Sequence, residues 1–503
     1  MAVRSGTGKE KDYGRMKQHH SGQTASDNTK KIPFGVKLGY GIGTLGYAVP
    51  FQLLSSFFLF YCTAVLGISG AAAGAMVSAS TIWDAVTDPI MGYISEHTSR
   101  KILFGRRLFY IFIGAIGFAL VNFLIWRVDP QLRGGEAGTV KVVWVAALLM
   151  LFKTFSTVYT TPYLALGAEL SSDYNERNAV QSYRTAFFFL GFLFPSVLGM
   201  ALFFRPTGAY PNGQLNPAAY AALGLTASIL TLVCAGVCLA LTYRHRLIYT
   251  PPKVKRNPVI GLFREIAEAM KLSDFRNISL ALLFINSAMG IVSAVGVHVF
   301  TYTFGFTNSQ IALVFGVLFV TALIAQPAWV LIANRYDKRR ALIACLWINI
   351  AVSVLFVVCV FASAWIADHY LTVMPLAVLI GFSMGGSIAL PYSMISDTID
   401  KDAYESGSRK EGVFYGCATF LYKISQSLAV FFVGALLDVI KFDSSIVQEP
   451  SVYLKLGLIL PAGFLICFTV ALIFAYRYTL TREKVTEYQK ALQQRPEQDS
   501  ASG

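Results

Sequence analysis

Long apolar runs constrain this chain more than any other feature of its sequence. About twelve such runs, each of roughly 20 to 28 residues, recur between residues 36 and 478, and each is long enough to cross the membrane hydrocarbon as a helix. The composition agrees, because 55% of the residues are hydrophobic and only 14% are charged. We therefore predict an all-α integral membrane protein with twelve transmembrane helices.

Two short patterns occur once in each half of the chain. A basic turn at 100–107 has a counterpart at 335–340, and PYLALGAELSSDY from Pro162 resembles PYSMISDTIDKDAY from Pro391. Both spacings are roughly 230 to 240 residues, as expected of an internal repeat. Two six-helix repeats around a central cavity are the organisation of a major facilitator transporter.

The predicted organisation follows from the position of the polar segments. A long basic connection separates the two sets of six helices, and part of it, 260–272, has the period of an amphipathic helix at the membrane surface. The predicted units are a disordered cytoplasmic tail (1–35), a first six-helix bundle (36–243), a cytoplasmic linker (244–276), a second six-helix bundle (277–478) and a cytoplasmic tail (479–503).

The net charge of +14 reflects topology. Lys and Arg are concentrated in alternate loops and in both tails, which is the positive-inside pattern. It predicts a multi-pass protein of the cell membrane, a bacterial inner membrane, with both termini in the cytoplasm. Nucleic-acid binding is the weaker interpretation of this charge. The 7 cysteines lie in or beside the apolar runs and indicate neither a disulfide framework nor a metal centre.

Asp84 and Asp88 are the most informative charges, because they lie one helical turn apart inside an apolar run. Each costs roughly 2.5–3.5 kcal/mol to insert without compensation. The pair could hold a cation, for which Na⁺ is the candidate metal ion, or carry a proton. Alternatively, Asp88 braces the basic turn while Asp84 pairs with a Lys. The second half has Ala322 and Gln326 at the matching positions, so the pair is unique to the first half.

The fourth predicted helix, at about 142–169, supplies candidate neighbours for this pair. Lys153, Thr157, Thr160 and Thr161 form a single polar stripe at helical spacing. Counting from the helix starts places Lys153 near the level of Asp84, so we hypothesise that these two residues pair. The alternative is that Lys153 extends toward the outer interface. We predict that the cation-coupling site comprises Asp84, Asp88, Thr157, Thr160 and Lys153.

Further polar residues inside the predicted spans are candidates for substrate binding. Lys423 lies near the middle of the predicted helix at about 412–438 and is expected to contact substrate or a carboxylate. Arg184 could reach the cavity or could equally be an interfacial anchor. The predicted substrate-binding residues are Arg184, Lys423, Gln426, Thr161 and Asn286.

The repeated basic turns are candidate cytoplasmic gates. We expect them to pair with nearby acidic residues while the outer side is open. The predicted gating residues are Arg100, Arg106, Arg107, Glu169, Asp173, Arg335, Arg339, Asp397 and Asp400.

Four motifs together resemble the glycoside–pentoside–hexuronide:cation symporter family. They are WDAVTDPIMG at 83–92, the basic turn that follows it, DYNER…SYR between 173 and 184, and SDTIDKDAYESGSRKEGVFYG at 396–416 continuing to Lys423. The resemblance implies a major facilitator fold and alternating access. It also implies cation-site roles for Asp84, Asp88 and Thr157, and sugar-site roles for Arg184 and Lys423.

The departures from this family pattern bear on substrate and ion. Ala48 and Thr160 stand where the resemblance places acidic sugar ligands, and Leu164 stands in place of a Trp. A galactoside is therefore disfavoured, whereas an anionic solute such as a hexuronide fits the retained Lys423 and Arg184. Lys153 adds a charge that the family site does not need, so proton coupling or a Lys acting as a tethered cation stays open.

These observations predict a monomeric secondary transporter that moves a small polar solute, a sugar, glycoside or sugar acid, together with Na⁺ or H⁺. No cofactor is expected. The alternatives are a lysolipid carrier of the same fold, which a greasy lateral opening would favour, and a non-transporting membrane sensor. An enzyme is disfavoured, because no apolar run holds a catalytic or metal-ligand cluster.

Overall fold

The computed structural model describes residues 31–98, 104–127, 138–170, 174–244, 264, 266–407, 411–443 and 447–501. Several predicted features therefore lie outside the described residues. These are the tail up to residue 30, residues 260–263 and 265 of the predicted amphipathic segment, Arg100 and Asp173.

The described part of the chain is built from long helices joined by short turns. The first six are α1 (Phe34–Phe60), α2 (Gly70–His97), α3 (Arg106–Trp126), α4 (Gly138–Glu169), α5 (Tyr174–Leu193) and α6 (Pro217–Thr242). The next six are α7 (Ser273–His298), α8 (Asn308–Tyr336), α9 (Lys338–Phe361), α10 (Met374–Ser406), α11 (Glu411–Val439) and α12 (Pro450–Arg477), followed by α13 (Arg482–Ala501).

Shorter helical turns extend or connect these helices. Tyr61–Val65, Phe194–Gly199 and Val299–Thr303 are π-helical extensions of α1, α5 and α7. Met200–Leu202, Gly213–Leu215, Ser363–Asp368 and Tyr370–Val373 are single turns or little more.

Eleven helical segments among the described residues are long and apolar enough to cross a membrane. Helix α2 is equally long, at 28 residues, but it carries Asp84 and Asp88 together with several hydroxyl side chains and is less apolar. It lies within the same bundle, which completes the predicted twelve. The all-α membrane fold is thus confirmed.

The same five helix pairs pack in each half. In the first half α1 contacts α5 and α6, α3 contacts α4 and α6, and α2 contacts α4. In the second half the equivalent helices, six positions later, make the equivalent contacts. This correspondence supports the repeat that the sequence motifs indicate. The halves meet where α2 packs on α11, α1 on α7, and the π-helical end of α5 on α8.

Both terminal segments lie at one end of the bundle, which we call the tail side. Ile32 N–H donates to Glu176 at the start of α5, and Thr479 N–H donates to Asp274 at the start of α7. The segment after α12 forms α13, which packs on α10 through a hydrogen bond from Gln489 to Asp400. The predicted C-terminal tail thus contains a docked helix.

Candidate functional site

The two intramembrane carboxylates are positioned by packing between α2 and α4. The indole N–H of Trp83 donates to Thr154 Oγ1 at 2.8 Å, which fixes the register of the two helices. Asp84 follows Trp83 and is 2% exposed, so its carboxylate lies inside the bundle. Asp88, one turn further, lies on the same side of α2.

Thr157 of α4 lies between the two carboxylates. Its Oγ1 atom is 2.9 Å from Asp84 Oδ1 and 2.8 Å from Asp88 Oδ1. A hydroxyl group has one proton to donate, so it can donate to only one of these carboxylates at a time. The other short contact is most favourable when the second carboxyl carries a proton or when a cation lies between the oxygens. The arrangement can therefore accommodate one added positive charge.

Lys423 reaches this site from the opposite half of the protein. Its ammonium group lies 2.7 Å from Asp84 Oδ2 and also forms an ion pair and a hydrogen bond with Asp88 Oδ2. The sequence allowed either a substrate contact or a carboxylate contact for Lys423, and the structure contains the carboxylate contact. One side chain of α11 thus holds two side chains of α2 across the boundary between the halves.

Lys153 completes the charged cluster. Its Nζ atom lies 3.9 Å from Asp84 Oδ2, which is the pairing that depth counting predicts, and not the extended alternative. The same atom lies 5.2 Å from the centre of the Phe51 ring, a cation–π distance. Two carboxylates therefore face two ammonium groups, and the cluster can be electrically neutral without a bound ion.

The other predicted site residues lie apart from this cluster. No hydrogen bond joins Thr160 to either carboxylate among the described side chains, because Thr160 lies almost a turn beyond Thr157. Thr161 packs near Gly92 of α2. Gln426 donates to the backbone carbonyl of Asn286 at 3.0 Å and so ties α11 to α7. The structure thus groups Asp84, Asp88, Thr157, Lys153 and Lys423.

Three buried donors near the middle of the bundle lack hydrogen-bond partners. They are Arg184 Nε on α5, Asn286 Nδ2 on α7 and Gln326 Nε2 on α8. Unsatisfied buried donors are costly and are usually explained by water, an ion or a ligand. All three are donors, so they complement an acceptor-rich ligand. The substrate roles of Arg184 and Asn286 stay predictions.

Hydrogen bonds join the halves at the side opposite the tails. The Asp438 carboxylate of α11 accepts the backbone N–H groups of Gly70 and Ala71, at 2.8 and 2.9 Å, at the start of α2. Thr63 Oγ1 lies 3.1 Å from His298 Nε2, which connects α1 and α7.

Glycines allow the close approach of α2 and α11 at this side. A Cβ atom added to Gly74 would lie 2.8 Å from Phe431 Cα. Gln214 and Asn308 form a further hydrogen bond near the α5–α8 contact. We call the contacts of Asp438 with Gly70 and Ala71, Thr63 with His298, Gly74 with Phe431 and Gln214 with Asn308 the outer seal, because they lie on the side of the molecule away from the tails.

Three predicted gating residues of the first half, Arg106, Arg107 and Glu169, form a buried cluster on the tail side. Arg106 Nη2 and Arg107 Nε donate to Glu169 Oε1 at 3.1 and 3.0 Å, and Arg107 also donates to Ser95. All three charged side chains are largely buried. These ion pairs connect α3 to α4 within one half.

In the second half one residue of the basic turn at 335–340 pairs with a predicted gating acid. Lys338, rather than Arg335 or Arg339, forms the ion pair with Asp397, at 2.6 Å. The reason is that Asp337 caps α9 with a positive φ of 90°, which directs Lys338 toward α10.

The remaining predicted gating residues of the second half have other partners. Arg335 lies over the ring of Tyr336, Arg339 donates to the backbone carbonyl of Tyr476, and Asp400 accepts from Gln489. The predicted pairing of this basic turn with acids such as Asp397 and Asp400 concerns the state that is open on the outer side, so the gating roles of Arg335, Arg339 and Asp400 stay predictions.

Sequence reasoning missed three residues that shape the site. Phe51 and Trp83 are aromatic residues in apolar runs, and nothing in their spacing distinguishes them from packing residues. Asp438, by contrast, is a carboxylate at the end of an apolar run, and a search for every such carboxylate would have found it.

An apolar groove opens on the surface between α5 and α8. Its volume is about 450 Å³, and it is lined by Val197, Ser309, Ala312, Leu313, Gly316, Val317 and Val320. Small residues of α8 and the π-helical segment of α5 leave this space at the boundary between the halves. A groove of this kind can accommodate an acyl chain.

A protein-family model described as MFS/sugar transport protein matches residues 39–482. The chain is 26% identical to an uncharacterized symporter of Synechocystis, over 93% of this chain and 98% of the relative. It is 24% identical to sodium-dependent lysophosphatidylcholine symporter 1-A of Danio rerio, over 91% of this chain and 88% of the relative. It is 26% identical to a sphingosine-1-phosphate transporter of Xenopus tropicalis, over 91% and 90%.

Solved structures share the fold at low sequence identity. A bacterial homologue of the human lysosomal transporter Spinster, in an inward-facing and unoccupied conformation, superposes with a TM-score of 0.63 and 13% identity. The match covers 88% of this chain and 95% of that one. This likeness concerns the arrangement of helices.

Proposed function

We propose that this protein is a cation-coupled symporter that works by alternating access. The chain belongs to the MFS/sugar transport protein family of the major facilitator superfamily. Its relatives are transporters and not enzymes, which confirms the expectation that this protein is a transporter and not an enzyme. The observation that carries the proposal is the contact of Lys423 with both Asp84 and Asp88. A charge cluster that spans the two moving halves is where ion binding can control their movement.

The conformation supports an inward-facing state. The positive-inside pattern assigns the tail side to the cytoplasm. The outer seal joins the halves at the opposite side, whereas the ion pairs of Arg106 and Arg107 with Glu169, and of Lys338 with Asp397, stay within one half. The predicted gate between the halves on the cytoplasmic side would form only in the opposite state, so it stays a prediction.

Ion binding and the Lys423 contact compete for the same carboxylates. A cation or proton that neutralises Asp84 and Asp88 weakens their attraction for Lys423 and allows α11 to separate from α2. The released ammonium group can then bind an anionic group of the substrate. Charge is exchanged in this way without leaving an uncompensated ion in the membrane, and solute and cation move together.

The substrate proposed first is a small organic anion of the sugar-acid class. One support is the set of unsatisfied donors, Arg184 Nε, Asn286 Nδ2 and Gln326 Nε2. The other is that Ala48 and Thr160 stand at positions where the resemblance to the glycoside–pentoside–hexuronide:cation symporter family implies acidic residues. Buried donor atoms that have no hydrogen-bond partner favour a ligand rich in acceptors over a neutral galactoside.

A single-chain phospholipid is the second candidate. The apolar groove between α5 and α8 favours it, because an acyl chain could lie there while its phosphate approaches the cationic side chains. Two relatives are named for lysophosphatidylcholine and sphingosine-1-phosphate, both of which are single-chain amphiphiles with a phosphate. The shared chemistry of both candidates is an anionic group.

Uptake into proteoliposomes tests the proposal. Purified protein is reconstituted, and sugars, sugar acids and lysolipids are offered under an imposed Na⁺ or H⁺ gradient. We expect gradient-driven accumulation of one class, and its loss in Asp84→Asn while exchange of the same solute continues. If the correctly inserted wild-type protein accumulates none of them under either gradient, the proposal is wrong.

A further inference from the structure

Lys153 has no role in the exchange between Lys423 and the two carboxylates. It lies on α4, in the same half as Asp84 and Asp88, so it moves with them when the halves separate. Its ammonium group is held from two directions, by Asp84 at 3.9 Å and by the Phe51 ring at 5.2 Å. Its side chain is 12% exposed. Because α2 and α4 belong to the same half, we expect this ammonium to stay beside the carboxylates throughout the proposed cycle.

The charge count changes when Lys423 leaves. The ion-paired side chains of the cluster, among the described residues, are Asp84, Asp88, Lys153 and Lys423. With Lys423 withdrawn, two carboxylates and one ammonium give a net charge of −1. Without Lys153 the net charge would be −2. The resident ammonium therefore halves the negative charge available to an incoming cation.

We propose that Lys153 excludes alkali cations from this site and so determines which ion the transporter can use. The proposal rests on the function proposed above, because it assigns an ion preference to the same carboxylates. Lys153 would occupy the position of a counter-ion as a covalently attached ammonium. Sodium would be a poor coupling ion for this chain, even though related symporters are named as sodium-dependent.

Two physical effects produce the exclusion. A unit charge a few ångströms from a second cation repels it strongly in a partly buried site. In addition, Na⁺ needs several oxygen ligands at once, and Lys153 lies against Asp84 Oδ2 and competes for one of them. The oxygens left are Asp84 Oδ1, the Asp88 carboxylate and Thr157 Oγ1, two of which already share a hydrogen bond.

A purely structural role is the competing explanation. In that case Lys153 would only connect α4 to α1 and α2 through Phe51 and Asp84, and its removal would lower stability without changing ion binding. The two explanations predict different behaviour toward Na⁺, which can be measured without knowing the substrate.

Sodium binding to the full-length protein in detergent tests the inference. The affinity of ²²Na⁺ is measured by scintillation proximity for wild type, Lys153→Met and Lys153→Arg, with choline chloride keeping the ionic strength constant. Methionine retains an apolar side chain against Phe51, and arginine retains the charge. We expect at least about tenfold tighter Na⁺ binding by Lys153→Met, as the loss of one nearby repulsive charge implies. Lys153→Arg should bind as weakly as wild type.

The double variant Lys153→Met/Asp84→Asn should lose the gain, because it removes the carboxylate that Lys153 covers. Equal Na⁺ affinity in wild type and in folded Lys153→Met would overturn the inference. Lys153→Gln serves as a second neutral variant if Lys153→Met does not fold. Substrate accumulation by wild type is scored separately, so that its absence contradicts the proposed function and leaves the sodium result to decide the role of Lys153.

Discussion

The ammonium group of Lys423 lies 2.7 Å from the carboxylate of Asp84, although the two residues belong to opposite halves of the bundle. Among the described residues, this contact belongs to the only charge cluster that spans the two halves near the middle of the membrane. It therefore links the charge of the cluster to the movement that alternating access requires. Because Asp88 shares the same ammonium, one side chain responds to the charge of both acids.

Replacing Thr157 by Val removes the hydroxyl that lies between the two carboxylates. Each carboxylate loses a hydrogen-bond partner, and the cation or proton loses one of its oxygens. A bond of this kind contributes about 1–2 kcal/mol. We therefore expect the ion concentration that half-saturates uptake to rise roughly tenfold, with a similar unfolding temperature. Thr157→Ser should behave as wild type. Val behaving like Ser would show that the hydroxyl has no part in coupling.

Replacing Asp438 by Ala removes a cap that reaches α2 from the other half. The N–H groups of Gly70 and Ala71 lose their acceptor, and the outer seal is weakened. Since Asp438 is exposed, we expect a shift of about 1–2 kcal/mol, or roughly tenfold, toward the state open on that side.

Distances between spin labels report this shift. Labels at Tyr210 and Val447, exposed residues of opposite halves near the outer seal, should move apart in Asp438→Ala in a cysteine-free background. Asp438→Asn, which keeps one acceptor oxygen, should give an intermediate result. An unchanged distance distribution in Asp438→Ala would refute a sealing role.

Replacing Glu169 by Gln leaves Arg106 and Arg107 without the carboxylate that they share. Both guanidinium groups are less than a tenth exposed, so the loss should lower stability by about 3–5 kcal/mol. The unfolding temperature in detergent measures this. The matched control is Asp397→Asn, whose partner Lys338 is 33% exposed and should cost less. Equal or smaller destabilisation by Glu169→Gln would contradict the importance of burial here.

The sequence predicts the fold well because membrane helices are encoded by length and hydropathy. The twelve helices and the repeat of basic turns followed from these patterns. Helix α13 was not foreseen, because its polar sequence has no apolar stripe comparable to that of a core helix. It is helical where it docks on α10, a tertiary effect that a single-sequence pattern does not record.

The candidate site was predictable only in part. Asp84, Asp88, Thr157 and Lys153 share two neighbouring helices, so helical spacing and depth were enough to group them. Lys423 is more than 330 positions away from the two aspartates, and its partner depends on how the halves pack in one conformation. Which basic side chain of the turn at 335–340 reaches Asp397 was also not predictable, because the backbone turn at Asp337 decides which one faces α10.

Steady-state accumulation by Lys423→Met tests the central claim most directly. The variant and wild type are reconstituted in parallel, and the internal solute concentration is measured under the same ion gradient, with exchange at zero gradient as the control for insertion. The account predicts that wild type concentrates the solute, whereas Lys423→Met, which also loses one contact with the solute's anionic group, exchanges it at higher solute concentrations but reaches only the external concentration. Accumulation by Lys423→Met equal to that of wild type would contradict a coupling role for the contact between Lys423 and Asp84.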